Sequence, residues 1–288
     1  MDIPQIPVAL IQCSMENSVQ VQLQKIAKMI QEAAEKGAKI VCLPELFASR
    51  YFCQTKNLAD LNSAELIPGP LSKFLSIQAK INKIILVGGS IFELDPQAHH
   101  YNTSLIFDQD GNVKAKYRKM HIPHDPNYWE QFYFSPGDLG YSNVKFEDIT
   151  VGTLICYDQW FPEPARIQTL MGTQLLCYPT AIGWTDQMRN EEPWSAKRWE
   201  DAMRAHASMN GIFTAGINRV GIESNIEFWG SSFIADPFGE VIARASTDKE
   251  EILITTLDFS RIFESQEGWG FLNNRRPDSY QKLINPKE

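Results

Sequence analysis

Three residues in this sequence combine a reactive side chain with a position that would expose it. Cys156 ends the apolar run Ile149-Thr150-Val151-Gly152-Thr153-Leu154-Ile155 and is followed at once by Tyr157-Asp158-Gln159-Trp160-Phe161-Pro162-Glu163, which reads as a strand, a sharp turn and a helix start. A cysteine there lies near the positive end of the coming helix, where free backbone N–H groups favour the thiolate, so it is a candidate nucleophile. Glu45 follows Ile40-Val41-Cys42-Leu43-Pro44 at the C-terminal end of a short strand, the edge at which open α/β sheets carry their sites. Lys119 closes the strand Val113-Lys114-Ala115-Lys116-Tyr117-Arg118, ahead of an extended loop through Pro123, and can point at developing negative charge. Nucleophile, base and cation together suit attack on a carbonyl-type carbon. Taken singly, each has a plain structural role as core packing, a solvated turn acid or a lysine reaching into water. Their joint occurrence on three strand ends is what points to chemistry.

The elements that must position them follow from spacing. Val8–Cys13 is a short apolar strand, and Val19, Leu23, Ile26, Ile30 and Ala33 recur at helical intervals between Ser18 and Lys36. Gly37 ends that helix, and the strand to Glu45 follows. A helix over about Leu71–Ile81, a strand over Ile84–Gly89 and a hairpin over Tyr101–Lys119, turning at Asp110-Gly111, complete the unit. The second half repeats the order: the strand ending at Cys156, a helix from about Glu163 to Met171, and Gly172-Thr173-Gln174-Leu175-Leu176-Cys177-Tyr178-Pro179, which echoes Gly37-Ala38-Lys39-Ile40-Val41-Cys42-Leu43-Pro44. A helix over Ser195–Asn210, a strand over Gly211–Asn218 and a hairpin over Ser231–Ala245 then close the second unit. A β-α-β plus hairpin unit made twice predicts an α/β fold of two packed mixed sheets flanked by helices, a four-layer α-β-β-α sandwich with an internal pseudo-two-fold repeat. No linker or low-complexity tract divides the 288 residues, so residues 1–288 are expected to form a single domain.

Glu45, Lys119 and Cys156, in that chain order, resemble the catalytic triad of the nitrilase superfamily, the C–N hydrolases, over roughly Ile6 to Asn285. Four longer strings are similar to its N-carbamoylputrescine amidohydrolase branch, which opens a ureido group in polyamine biosynthesis. They are His121-Ile122-Pro123, Glu130–Asp138, Cys156-Tyr157-Asp158-Gln159-Trp160 and Tyr178–Trp184. The resemblance implies the same sandwich fold, a homodimer or larger homo-oligomer, and a covalent thioester-like intermediate on Cys156. In those roles Glu45 is the base, Lys119 and the backbone N–H of Tyr157 hold the oxyanion, and Glu130 is a fourth catalytic group that orients Lys119 and the substrate. A related amidase acting on another small amide, and a non-catalytic scaffold on the same fold, are the alternative readings.

Relatives that open carbamoyl amino acids carry two arginines just after the Cys-x-Asp, where this chain has Gln159 and Trp160. An amine would instead meet acidic or aromatic groups, and Asp125, Trp160, Trp184 and Glu191, with Glu192, are the candidate substrate contacts. His124 stands where close relatives often show an acid. The net charge of −8 and the lack of a basic stripe argue against nucleic-acid binding. There is no membrane-length apolar run, and the five cysteines form no Cys-x-x-Cys pair, so a cytoplasmic protein is expected. Phosphate-loop, dinucleotide and serine-elbow motifs are absent. The proline within His121-Ile122-Pro123-His124-Asp125 spoils a metal-binding presentation, so neither metal nor cofactor is expected.

Overall fold

The computed structural model describes residues 5–284; residues 1–4 and 285–288, among them Asn285 and both ends of the expected domain, lie outside the described residues. The first half runs β1 (Gln5–Gln12), α1 (Val19–Glu35), β2 (Ile40–Cys42), α2 (Pro70–Asn82), β3 (Ile85–Val87), β4 (Ile91–Leu94), β5 (His100–Phe107) and β6 (Val113–Arg118). After α3 (Glu130–Tyr133) come β7 (Asn143–Lys145), β8 (Thr150–Thr153), α4 (Pro162–Leu170), β9 (Leu175–Pro179), β10 (Gly183–Trp184), α5 (Asp186–Glu191) and α6 (Ser195–Asn210). The chain continues through β11 (Phe213–Ile217), β12 (Val220–Glu223), β13 (Ile226–Trp229), β14 (Phe233–Ala235), β15 (Val241–Arg244), β16 (Glu251–Asp258), α7 (Ser260–Trp269) and α8 (Gln281–Ile284).

The repeat is visible in the pairing. Strands β1, β2 and β3 are parallel neighbours extended by the antiparallel hairpin β5–β6, and β8, β9 and β11 are parallel neighbours extended by the antiparallel hairpin β14–β15. Gly37 and Gly172, which end the matching helices, share a φ of 94°, a left-handed conformation that a Cβ would strain. The edges break the symmetry. Strand β16 crosses back to pair antiparallel with the whole of β1, so the first sheet has seven strands, while β7 borders the six-stranded second sheet. A small third sheet, ordered β10-β13-β12, has no counterpart in the sequence reading, because its strands are short and β10 joins the β12–β13 hairpin from far back in the chain.

Alternation along the strands sets the layers. Val8 and Leu10 face the second sheet and join Val151, Leu175, Cys177 and Ala215 in the core between the sheets. Ala9 and Ile11 point the other way onto Ile26, Ile30 and Ala33 of α1 and Leu75 and Ala79 of α2. Beyond the second sheet, Leu176 and Tyr178 pack on Trp199, Met203 and Ala207 of α6 and Ala165 of α4. Strands buried on both faces read as continuous apolar runs, which is why they stood out in the sequence. Helices therefore sandwich two face-to-face sheets, as the repeat implied. Cys42 Sγ and Cys177 Sγ, from matching positions of the two units, meet 3.5 Å apart between the sheets. Among the described residues no helix is long and apolar enough to cross a membrane.

Candidate active site

Strand ends bring the predicted residues together. Glu45 lies just beyond β2, Lys119 directly after β6, Cys156 just beyond β8, and Glu130 opens α3. Lys119 Nζ donates to Glu45 Oε1 at 2.8 Å and to Glu130 Oε2 at 2.6 Å. All three side chains are fully or almost fully buried. Buried charges are tolerable when paired and hydrogen-bonded, and both carboxylates have a further partner. Asn102 Nδ2 donates to Glu45 Oε1 at 2.8 Å, and the Tyr51 hydroxyl donates to Glu130 Oε1 at 2.7 Å. Glu45 Oε2 is buried and has no hydrogen-bond partner among the described residues. That free acceptor is where a proton can be received.

The loop after Glu45 is clamped from the second half of the chain. Arg219, fully buried, donates through Nη2 to the carbonyl oxygens of Glu45 (2.5 Å) and Leu46 (3.2 Å) and through Nη1 to Glu223 Oε1 at 2.9 Å. Glu223 Oε2 in turn accepts from the Tyr51 N–H at 2.6 Å. The turn carrying Cys156 is held by Asp158. Its carboxylate accepts from the N–H of Ile155 (2.9 Å), the Tyr117 hydroxyl (2.7 Å), and His121 through both N–H (3.1 Å) and Nδ1 (2.8 Å). Cys156 itself sits at φ 41°, a conformation uncommon for any residue with a Cβ and held here by the surrounding bonds. The first bond of the 3-10 turn Cys156–Trp160 runs from the Asp158 N–H to the Ile155 carbonyl, so the Tyr157 N–H lies outside that ladder.

Electrostatics correct one expectation. Cys156 opens a five-residue 3-10 turn, and α4 begins only at Pro162, so little helix dipole reaches the sulfur. Burial pushes the thiol well above its ordinary value and the Glu45 charge pushes it further, whereas Lys119 and the Ala181 N–H only partly oppose them. The resting group is a thiol that requires a base. Burial pushes Glu130 up to about 7, Lys119 pulls against this, and Glu45 reinforces it. For Lys119 burial opposes the charge, but Glu130 and Glu45 outweigh it and hold the ammonium well above its usual range.

Cys156 and Glu130 open onto a cavity of about 600 Å³, and Asp125, Tyr157, Trp160, Glu191 and Glu192 line it as well. Trp184 does not: its ring packs on Trp229 at 4.9 Å, beneath Arg189, and Trp229 lines the cavity in its place. His124 is exposed and lies edge-on to Trp129, outside the lining. The sequence reading missed Tyr51, Asn102, Asp158 and Arg219. Asn102 had a signal in being polar within a strand buried almost throughout, and Asp158 one in standing beside the nucleophile. Tyr51 and Arg219 act across more than 70 residues of chain and left none.

Two sheets with helices outside and a Glu-Lys-Cys cluster at their strand ends define a class. The carbon–nitrogen hydrolase family model matches residues 7–266, and the chain belongs to that family of enzymes. Among its relatives, an N-carbamoylputrescine amidase from Oryza sativa subsp. japonica is 40% identical over 267 residues, 89% of this chain and 87% of the relative. A citrullinase from Francisella tularensis is 37% identical over 97% of this chain and 98% of its own length. The crystal structure of a carbon–nitrogen hydrolase from Helicobacter pylori G27 superposes with a TM-score of 0.93 at 36% identity, covering 98% of this chain and 99% of that one.

Proposed function

We propose that this enzyme hydrolyses the ureido C–N bond of N-carbamoylputrescine, yielding putrescine, carbon dioxide and ammonia. The observation that carries the chemistry is the buried Lys119 paired with Glu45 and Glu130, together with a cysteine that opens onto the cavity beside Glu130. The plant relatives named N-carbamoylputrescine amidases support the substrate. So do Asp125, Glu191 and Glu192, none of which has a cationic side chain within 4.0 Å among the described residues.

In this reading Glu45 takes the Cys156 proton on its free Oε2 as the sulfur attacks the ureido carbon. Lys119 has three N–H bonds, of which Glu45 and Glu130 accept two; the third, with the Tyr157 N–H, is available to the developing oxyanion. Glu45 returns the proton to the nitrogen that leaves as ammonia, and an N-substituted carbamoyl thioester remains on the sulfur. Glu45 next deprotonates a water that attacks this adduct, the C–S bond breaks as Glu45 returns that proton to the sulfur, and the released carbamic acid divides into carbon dioxide and the amine. Glu130 positions Lys119, and Tyr51 positions Glu130. We assign the chain as one domain working as a homodimer or larger homo-oligomer in the cytoplasm. Family resemblance supports the oligomer, and five unpaired cysteines support a reducing compartment.

Ammonia release from N-carbamoylputrescine, N-carbamoyl-β-alanine and a simple aliphatic amide, for wild type and Cys156→Ser, tests this assignment. Cys156-dependent turnover of the amine derivative is expected. Turnover of the aliphatic amide alone would overturn the ureido substrate and leave the mechanism.

A further inference from the structure

The cavity leaves charges of both signs unanswered. Besides three carboxylates that have no cationic partner among the described residues, Arg198 lines the same cavity as Cys156. Among the described residues no carboxylate lies within 4.0 Å of its guanidinium, and the group donates no hydrogen bond. Its place in the fold does not explain a cation. Arg198 lies near the N-terminal end of α6, where the helix dipole disfavours positive charge, and the first turn holds no acid to offset it. Its position is nonetheless defined: the guanidinium lies 5.5 Å from the ring centroid of Trp160, at the end of the nucleophile's own turn, and 5.5 Å from that of Trp194. Aromatic neighbours contact the cation and leave its N–H fork without an acceptor.

N-carbamoylputrescine carries a single distal ammonium, which the carboxylates can meet and Arg198 would repel. A carboxylate attached to the ammonium-bearing carbon would answer both sets of groups at once. We propose that Arg198 is a specificity-determining residue that binds such a carboxylate, so that this enzyme takes ureido substrates ending in an α-amino acid. This rests on the ureido reading of the same site. The pairing is a two-point one: the fork of Arg198 on the carboxylate, and Asp125, Glu191 or Glu192 on the ammonium. The arginine comes from α6, far in sequence from the pair that follows Cys-x-Asp in relatives acting on carbamoyl amino acids, so the glutamine and tryptophan at 159 and 160 do not preclude a carboxylate site.

The test compares kcat and KM for N-carbamoylputrescine and for citrulline, which is the same molecule with a carboxylate on the ammonium-bearing carbon, in wild type, Arg198→Met and Arg198→Lys. Methionine keeps apolar bulk between the two tryptophans; lysine keeps charge without the fork. We expect wild type to hydrolyse citrulline and Arg198→Met to lower the citrulline-to-N-carbamoylputrescine ratio of kcat/KM by about tenfold to a hundredfold, the range for losing a hydrogen bond to a charged group. The change should fall in KM for citrulline, with Arg198→Lys intermediate. Wild-type turnover of N-carbamoylputrescine without citrulline would overturn the role of Arg198 and leave the ureido reading standing. An equal loss on both substrates would reduce Arg198 to packing. Turnover of neither, with an aliphatic amide still hydrolysed, would overturn the ureido reading itself.

Discussion

The inner wall and the mouth of the cavity are built on opposite terms. Inside, Glu130 lines the cavity while Glu45 and Lys119 do not, and all three are buried with their charges paired within 2.8 Å. At the mouth, Asp125, Glu191 and Arg198 are exposed and unpaired among the described residues. A dry, fully paired cluster cannot reorganise cheaply, which suits groups that must already be in place when charge develops. Exposed, unpaired charges cost little and wait for a ligand. The inner wall should therefore control kcat, and the mouth KM.

The strongest way to break this contrast is at the sulfur and its base. Cys156→Ser should lower kcat by about 10⁴ or more, as for other nucleophiles that act as part of a unit. Glu45→Gln should lose about 10²–10⁴, and mass spectrometry should trap the carbamoyl adduct on Cys156, because the second step needs the same base. A fall confined to KM in either variant would remove these residues from the chemistry. Next in size is Lys119→Met. Losing an oxyanion donor predicts a drop of about 10²–10³ in kcat. The two carboxylates left buried without a cation should also cost about 3–5 kcal/mol of stability, measurable by denaturant unfolding.

Arg219→Met separates positioning from catalysis. It leaves Glu223 without its buried partner and frees the carbonyl of Glu45, so a destabilisation of about 3–5 kcal/mol should accompany loss of kcat. Arg219→Met with Glu223→Met should recover much of the stability but not the rate, because the Glu45 loop remains unclamped. Glu130 gives a pH signature. Unfolded, it gives up its proton near its usual value of 4.5, whereas in the fold it holds the proton to about 7. The folded state binds the extra proton between those values, so this group's contribution to stability declines as pH rises through that window. The fall should be shallower in Glu130→Gln, read as the pH dependence of the thermal midpoint.

The inner wall was the more legible region because its residues sit at the ends of strands whose apolar runs are unmistakable. Ile40–Cys42 announces Glu45, Val113–Arg118 announces Lys119, and Thr150–Thr153 announces Cys156. The duplicated Gly-to-Pro strings announced the two sheets. The features that escaped depend on two distant segments meeting. The Arg219 clamp joins residues 174 apart, and β16 returns to the first sheet from the far end of the chain. The helical activation expected for Cys156 failed for a local reason: Cys156 opens a five-residue 3-10 turn, and α4 begins only at Pro162. Trp184 lies outside the cavity lining; sequence shows that an aromatic is present but not which of two neighbouring rings, Trp184 or Trp229, faces the cavity.

The smallest effects belong to the carboxylates of the mouth, and they sharpen the contrast most. Asp125→Asn and Glu191→Gln each remove one exposed charge whose interaction with a distal ammonium is worth at most about 1 kcal/mol, so each should raise KM for N-carbamoylputrescine about two- to fivefold with kcat held. Added salt should raise the wild-type KM in the same direction, because exposed pairs are screened over a Debye length of about 10 Å at 0.1 M, and should do so less in the variants that have already lost a charge. The buried Lys119 pairs lie beyond that screening, so kcat should not follow the salt. A kcat that fell with salt as steeply as KM rose would mean that the mouth takes part in the chemical step, and the division between a wall that reacts and a mouth that selects would fail.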